Sequence, residues 1–121
     1  MNGWLIALAV AGVVINAFGI EGGRQALRAA HPSAESRSAA WYMIARSAAL
    51  SIAALVGGIG LLMGWPPEMS GWIYGVASAT WLVQVLDVPI WISRGRGWWA
   101  AGAVVCAGIV LAFAGASLFA A

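Results

Sequence analysis

Long apolar stretches separated by short polar ones run the length of this chain. Four of them are long enough to cross a hydrocarbon core, which takes about 20 apolar residues within a range of about 17–25. They are Trp4–Ile20, Trp41–Met63, Trp72–Ile92 and Trp98–Ala120. Each opens on a tryptophan, whose amphipathic ring prefers the headgroup level, so chemistry marks the same boundaries as hydropathy. The polar intervals are Glu21–Ala40, a turn Gly64–Gly71 holding Pro66 and Pro67, and the tight link Ser93–Gly97. Links this short force neighbouring helices to run antiparallel and side by side. The pattern predicts an all-α integral membrane protein, an antiparallel four-transmembrane-helix bundle making one domain over residues 1–121. Met1–Gly3 carries no Lys or Arg, so the first stretch is expected to stay as a membrane span rather than leave as a signal peptide.

Composition sharpens this reading. The chain is 63% hydrophobic and 8% charged, with a mean hydropathy of +0.91, whereas a soluble domain carries roughly a quarter charged residues. Its expected solvent is therefore the lipid bilayer. The net charge of +2 is not the clustered basic face that nucleic acid requires, and nucleic acid is not an expected partner. The arginines are one-sided. Arg24, Arg28, Arg37, Arg94 and Arg96 lie in the first and third links, and Arg46 lies just inside the second span on that side. The side with both termini and the Pro-Pro turn has only Glu68. Arginine accumulates in cytoplasmic loops, which predicts links one and three in the cytoplasm and both termini outside.

Inside the bundle no hydrophobic force draws helices together, so small residues are expected at the contacts. Gly57, Gly58, Gly60 and Gly64 in the second span and Gly102, Gly108 and Gly115 in the fourth are suited to it. Ala53 with Gly57, Gly60 with Gly64, and Gly108 with Ala112 repeat the small-xxx-small spacing.

Charged and amide residues inside the spans carry the functional signal. Arg46 lies five positions into the second span and Asp87 five positions before the end of the third, each about 7.5 Å inside the boundary at 1.5 Å per residue. Asn16 is expected near that level, with Glu21 and Arg24 just above it and Gln84 one turn deeper than Asp87. Thr80, Gln84, Asp87 and Trp91 fall at i, i+4, i+7 and i+11, one helix face, and Tyr42 shares a face with Arg46. An unpaired charge there costs about 2.5–3.5 kcal/mol on insertion scales. An Arg46–Asp87 ion pair is therefore expected, with Asn16, Gln84 and Tyr42 serving the remaining donors and acceptors. Such a layer is a ligand or catalytic site, a clamp pinning two helices, or a lipid-headgroup contact.

Other signals are weaker. His31 beside Pro32 reads as a residue of a wet loop. Glu21 has an ordinary partner in Arg24 or Arg28 one helical turn away, and Arg24–His31 suits a short interfacial helix. Arg94-Gly-Arg96-Gly-Trp98-Trp99 reads as an interface anchor, since it lacks the Lys-Ser/Thr ending of a phosphate loop. No metal-ligand spacing, nucleophile elbow or Ser/His/Asp set is present, and the residues name no cofactor. Cys106 is the sole cysteine, which excludes an intrachain disulfide.

Ala45-Arg46-Ser47 at the opening of the second span, Val85-Leu86-Asp87-Val88-Pro89 at the close of the third, and a Gly/Ala-rich fourth span together resemble the small DoxX-like four-helix membrane proteins of bacteria, including branches of unknown function. The resemblance runs from about Tyr42 to the C-terminus. It implies a bacterial cytoplasmic membrane, a polar site between helices, and for some members a place as small subunits of quinone-linked oxidoreductase complexes. Two classes of function follow. One is a membrane enzyme acting on a lipophilic substrate by isomerisation, cyclisation or epoxide opening. Asp87 or Glu21 would move the proton, Arg46 would hold the developing negative charge, and Asn16, Tyr42, Gln84 and Trp91 would contact substrate. The other is a non-catalytic accessory subunit of a larger redox or pigment complex. A small transporter, working as a homo-oligomer, is a third expectation. Whether the Arg46–Asp87 layer borders an empty pocket or is packed shut separates the site from the clamp.

Overall fold

The computed structural model describes residues 3–29 and 34–120. It is an all-α bundle of four helices, each long and apolar enough to cross a membrane: α1 (Gly3–Ala29), α2 (Ala34–Leu62), α3 (Ser70–Ser93) and α4 (Gly97–Phe119). A single 3-10 turn, Pro67–Met69, leads into α3. His31 lies outside the described residues.

The first two helices correct the expected boundaries. They hold 27 and 29 residues, about 40 Å each or more at 1.5 Å per residue, against a hydrocarbon core of about 30 Å. The described parts of the polar interval, 21–29 and 34–40, are thus helical. The Arg24–Ala29 part continues α1 rather than forming a separate interfacial helix. The reason is that Arg, Gln, Ala and Leu favour helix whatever their hydropathy. Arg24 also pairs with Glu21 one turn back, at 2.7 Å, which reinforces the exposed turn.

The ends of α2 and α3 are built alike. Trp65 N–H reaches back to Gly60 O and Gly64 N–H to Leu61 O; Arg96 N–H reaches Trp91 O and Gly95 N–H reaches Ile92 O. Each is a Schellman closure, and each needs a left-handed residue, supplied by Gly64 at φ 81° and Gly95 at φ 71°.

Close packing is concentrated between α1 and α2. Gly12 lies against Ala54, Gly19 against Ser47, and Gly23 against Ile44 and the Ala40 backbone. A methyl group at Gly19 or Gly23 would collide with its neighbour. On α2, Gly57 meets Trp72 and Ile73 of α3 and Gly58 meets Ala9 of α1, as expected of packing glycines. Gly60 instead lies against Trp65 of the turn after its own helix, and Gly64 has no atom within 4 Å of a Cβ, so the Gly60–Gly64 spacing does not mark a helix contact. The expectation for α4 fails. Gly102, Gly108 and Gly115 have no atom within 4 Å of where a Cβ would stand, so no helix packs closely against α4 at these positions.

Two apolar clusters fill the interior. One joins Leu8, Ala11, Ile15, Ile73, Ala77 and Val110 across α1, α3 and α4. The other joins Met43, Trp91, Ala100 and Ala103 at the arginine-bearing end. Outward faces are as apolar as the core, as a lipid-facing bundle requires.

Candidate functional site

The inner face of α3 follows its sequence spacing. Thr80, Gln84, Asp87 and Trp91 are all buried on the side that meets the other helices. Arg46 approaches from α2 and grips Asp87 with both ends of its fork: Nη1 donates to Oδ1 at 3.2 Å and Nη2 to Oδ2 at 2.8 Å. Asp87 is 5% exposed, so the partner that makes its burial tolerable is this guanidinium. Arg46 Nε is also buried and has no acceptor among the described residues.

Asn16 does not complete this pair. Its Nδ2 donates to Gly12 O at 2.8 Å and to Thr80 Oγ1 at 3.0 Å, tying α1 to α3. Thr80 is seven residues before Asp87, about 10 Å along the helix axis. The polar interior therefore has two levels. The expectation that Asn16 lies level with Arg46 takes Ile20 as the end of the first span, whereas α1 continues to Ala29. The α1–α2 register sets Gly19 beside Ser47, which leaves Asn16 deeper than Arg46. Asn16 Oδ1 is buried without a partner among the described residues.

Two further expected residues stand apart. Glu21 accepts from Arg24 Nε at 2.8 Å and Nη2 at 2.7 Å, and from Gln25 Nε2 at 3.3 Å, all on its own helix. Tyr42 is 70% exposed on the outside of α2 and does not join the ion pair. Its spacing from Arg46 is right for one face, but a tyrosine on the outside of the bundle can keep its hydroxyl toward a polar boundary, as tyrosines at membrane interfaces do.

The ion pair is not packed shut. Asp87 and Gln84 border a cavity of about 490 Å³ between α1 and α4, with α3 behind it. Ile15, Phe18 and Gly19 of α1 form one wall; Ala101, Gly102, Ala103, Val105 and Cys106 of α4 form the other. Trp91, Trp98 and Trp99 close the end nearest the third link. Phe18 and Val105 are 59% and 60% exposed, so the cavity opens sideways through the outer surface of the bundle. Trp91 and Trp99 lie 5.3 Å apart at a tilt of 33°, and the Arg94 guanidinium sits 5.9 Å from the Trp91 ring. Arg96 donates to Gln25 Oε1 at 3.3 Å, fastening the third link to α1.

Trp98 is 92% exposed, whereas Trp99 turns inward. The signal for this was present: Trp99, Ala103, Cys106 and Val110 repeat on α4 the i, i+4, i+7, i+11 spacing of the α3 stripe. A smaller cavity of about 390 Å³ lies between α3 and α4 toward the other end, beside Tyr74 and Ser78. There Tyr74 Oη and Ser117 Oγ share a hydrogen bond of 2.7 Å. No group of three or more His, Cys, Asp or Glu side chains among the described residues is placed to hold a metal ion.

No protein-family model, curated protein or solved structure gives a significant match to this chain.

Proposed function

We propose that this chain is a small enzyme of the bacterial cytoplasmic membrane that takes a lipophilic molecule sideways from the bilayer and performs acid–base chemistry on it at Asp87. One observation carries the reading: a buried, ion-paired carboxylate forms part of the wall of a lipid-facing chamber. A clamp needs no chamber. A ligand site is a mostly apolar hollow with a few polar groups that orient the guest, and this one has Asp87 and Gln84 among aromatic and aliphatic walls. Each carboxylate oxygen carries two lone pairs, so one contact with Arg46 leaves each an acceptor position for substrate. Asp87 would move the proton, Arg46 would hold the carboxylate and stabilise developing negative charge, and Gln84 would orient the polar group. Isomerisation, cyclisation and epoxide opening all fit. Glu21, engaged by Arg24, and the outward Tyr42 have no part in this mechanism. The arginine-bearing end, and with it the chamber, faces the cytoplasm, and both termini face outside.

The test begins with Gly102→Phe. Gly102 lines the chamber and has open space around it, so the ring fills the hollow and leaves the core alone. Parent protein extracted gently from membranes should retain a lipophilic molecule that Gly102→Phe lacks, as read by mass spectrometry of organic extracts. Asp87→Asn should keep that molecule and lose its turnover by at least about 10²-fold. Identical extracts from parent and Gly102→Phe would refute the reading.

A second reading, an accessory subunit of a larger membrane complex, draws on one feature. Gly108 and Ala112 are both exposed on α4, a small-xxx-small pair that lets a partner helix approach closely. Under that reading Gly108→Leu breaks assembly while Gly102→Phe and Asp87→Asn leave it intact.

A further inference from the structure

We infer that the chamber selects an uncharged lipophile whose polar end carries a hydrogen-bond donor, an alcohol or phenol, over the matching carboxylic acid, amine or hydrocarbon. The inference deepens the reading of the chamber as a ligand site and rests on it.

Charge is the first argument. Among the described residues, Asp87 is the only ionisable acid or base on the chamber wall other than the thiol of Cys106, and its charge is matched by Arg46 through both oxygens. Arg46 itself does not line the chamber; it offsets the Asp87 charge from the α2 side. A guest bringing its own charge would enter an apolar hollow with no free counter-ion, and burying an unpaired charge is among the costliest steps available. The nearby cations do not supply one. Arg94 is exposed at the third link, over the Trp91 ring, and Arg96 is turned to Gln25.

Hydrogen bonding is the second argument. An ionised carboxylate accepts and cannot donate. Its oxygens retain acceptor positions after Arg46 is satisfied, and they are buried, so they are served only by a donor brought in by the guest. A hydrocarbon, ether or ketone carries no donor and leaves them unserved. The tilted Trp91–Trp99 pair favours a ring or unsaturated stem beside the donor, since aromatic faces and edges pair at such distances.

The experiment uses four probes with one skeleton: 2-naphthalenemethanol, 2-naphthoate, 2-naphthylmethylammonium and 2-methylnaphthalene. Binding to parent protein in nanodiscs is measured by equilibrium dialysis, with partition into empty nanodiscs subtracted and Gly102→Phe as the filled-chamber control. The alcohol should bind the parent at least about tenfold more tightly than the other three and lose that excess in Gly102→Phe. Asp87→Asn removes one negative charge and leaves Arg46 unmatched, so the preference should move toward 2-naphthoate, a shift that a merely structural role would not produce. If no probe binds the parent in excess of Gly102→Phe, the chamber reading falls and this inference with it. If the hydrocarbon, acid or amine matches the alcohol, the chamber reading stands and the inference is overturned. Where Asp87→Asn does not purify folded, the parent panel alone decides.

Discussion

Arg46 on α2 and Asp87 on α3 meet as a two-pronged ion pair, 3.2 and 2.8 Å long, and Asp87 borders a hollow that opens through the outer face of the bundle. The pairing answers an electrostatic problem, because either charge alone would sit in a medium that cannot solvate it. The placement of the pair against a hollow does not answer that problem, and it is the placement that suggests chemistry.

The pair should behave as a unit in stability measurements. Arg46→Leu and Asp87→Leu should each destabilise the detergent-solubilised bundle by about 3–5 kcal/mol, since each strands a buried partner. The double variant should lose far less than the sum of the two. A denaturation cycle read by circular dichroism checks this, and additive losses would mean that the two side chains do not interact in the membrane.

Glycine substitutions should sort by helix. Gly19→Leu and Gly23→Leu force α1 away from Ser47, Ile44 and the Ala40 backbone, and overpacking of this kind costs about 1–3 kcal/mol or more. Gly108 is exposed, and a Cβ there meets no atom within 4 Å, so Gly108→Leu should not lower the unfolding midpoint. Equal sensitivity at Gly19 and Gly108 would show that α4 is rotated differently from the description above.

How much of this was legible beforehand depended on what each feature rests on. The buried stripe Thr80–Gln84–Asp87–Trp91 could be read because helical periodicity alone decides which residues share a face. The Arg46–Asp87 pair followed from the cost of leaving either one unpaired. The level of Asn16 could not be read, because hydropathy marks where lipid ends and α1 continues past that point to Ala29. The α4 glycines misled for a related reason. Composition shows which residues permit close approach, while the rotation of the helix decides whether anything approaches them. The chamber itself had no sequence signature, since a hollow depends on how two neighbouring helices cross and on side-chain volumes contributed by a third. Its α4 wall residues Trp99, Ala103 and Cys106 do share one face by their i, i+4, i+7 spacing.

Topology has its own test. With Cys106 replaced by Ala, single cysteines at Asn2 and Ala121 should both react with an impermeant maleimide added to intact cells, and one at Ser38 should react only after lysis. The motive is the confinement of Arg24, Arg28, Arg37, Arg94 and Arg96 to one side of the sequence pattern. Protection of both termini would invert the orientation.

The central claim is that lipid-borne molecules reach Asp87 through the side of the bundle. A diazirine-bearing aromatic alcohol, dissolved in membranes containing the protein and photolysed, tests it most directly by mass-spectrometric mapping of the labelled residues. The account predicts concentrated label at chamber residues Gln84, Trp99 and Cys106, abolished in Gly102→Phe. Background label on the outward Val104 and Leu111, 58% and 57% exposed, should be unchanged by that substitution. Label spread over the outward residues alone, with the chamber untouched in the parent, would contradict it.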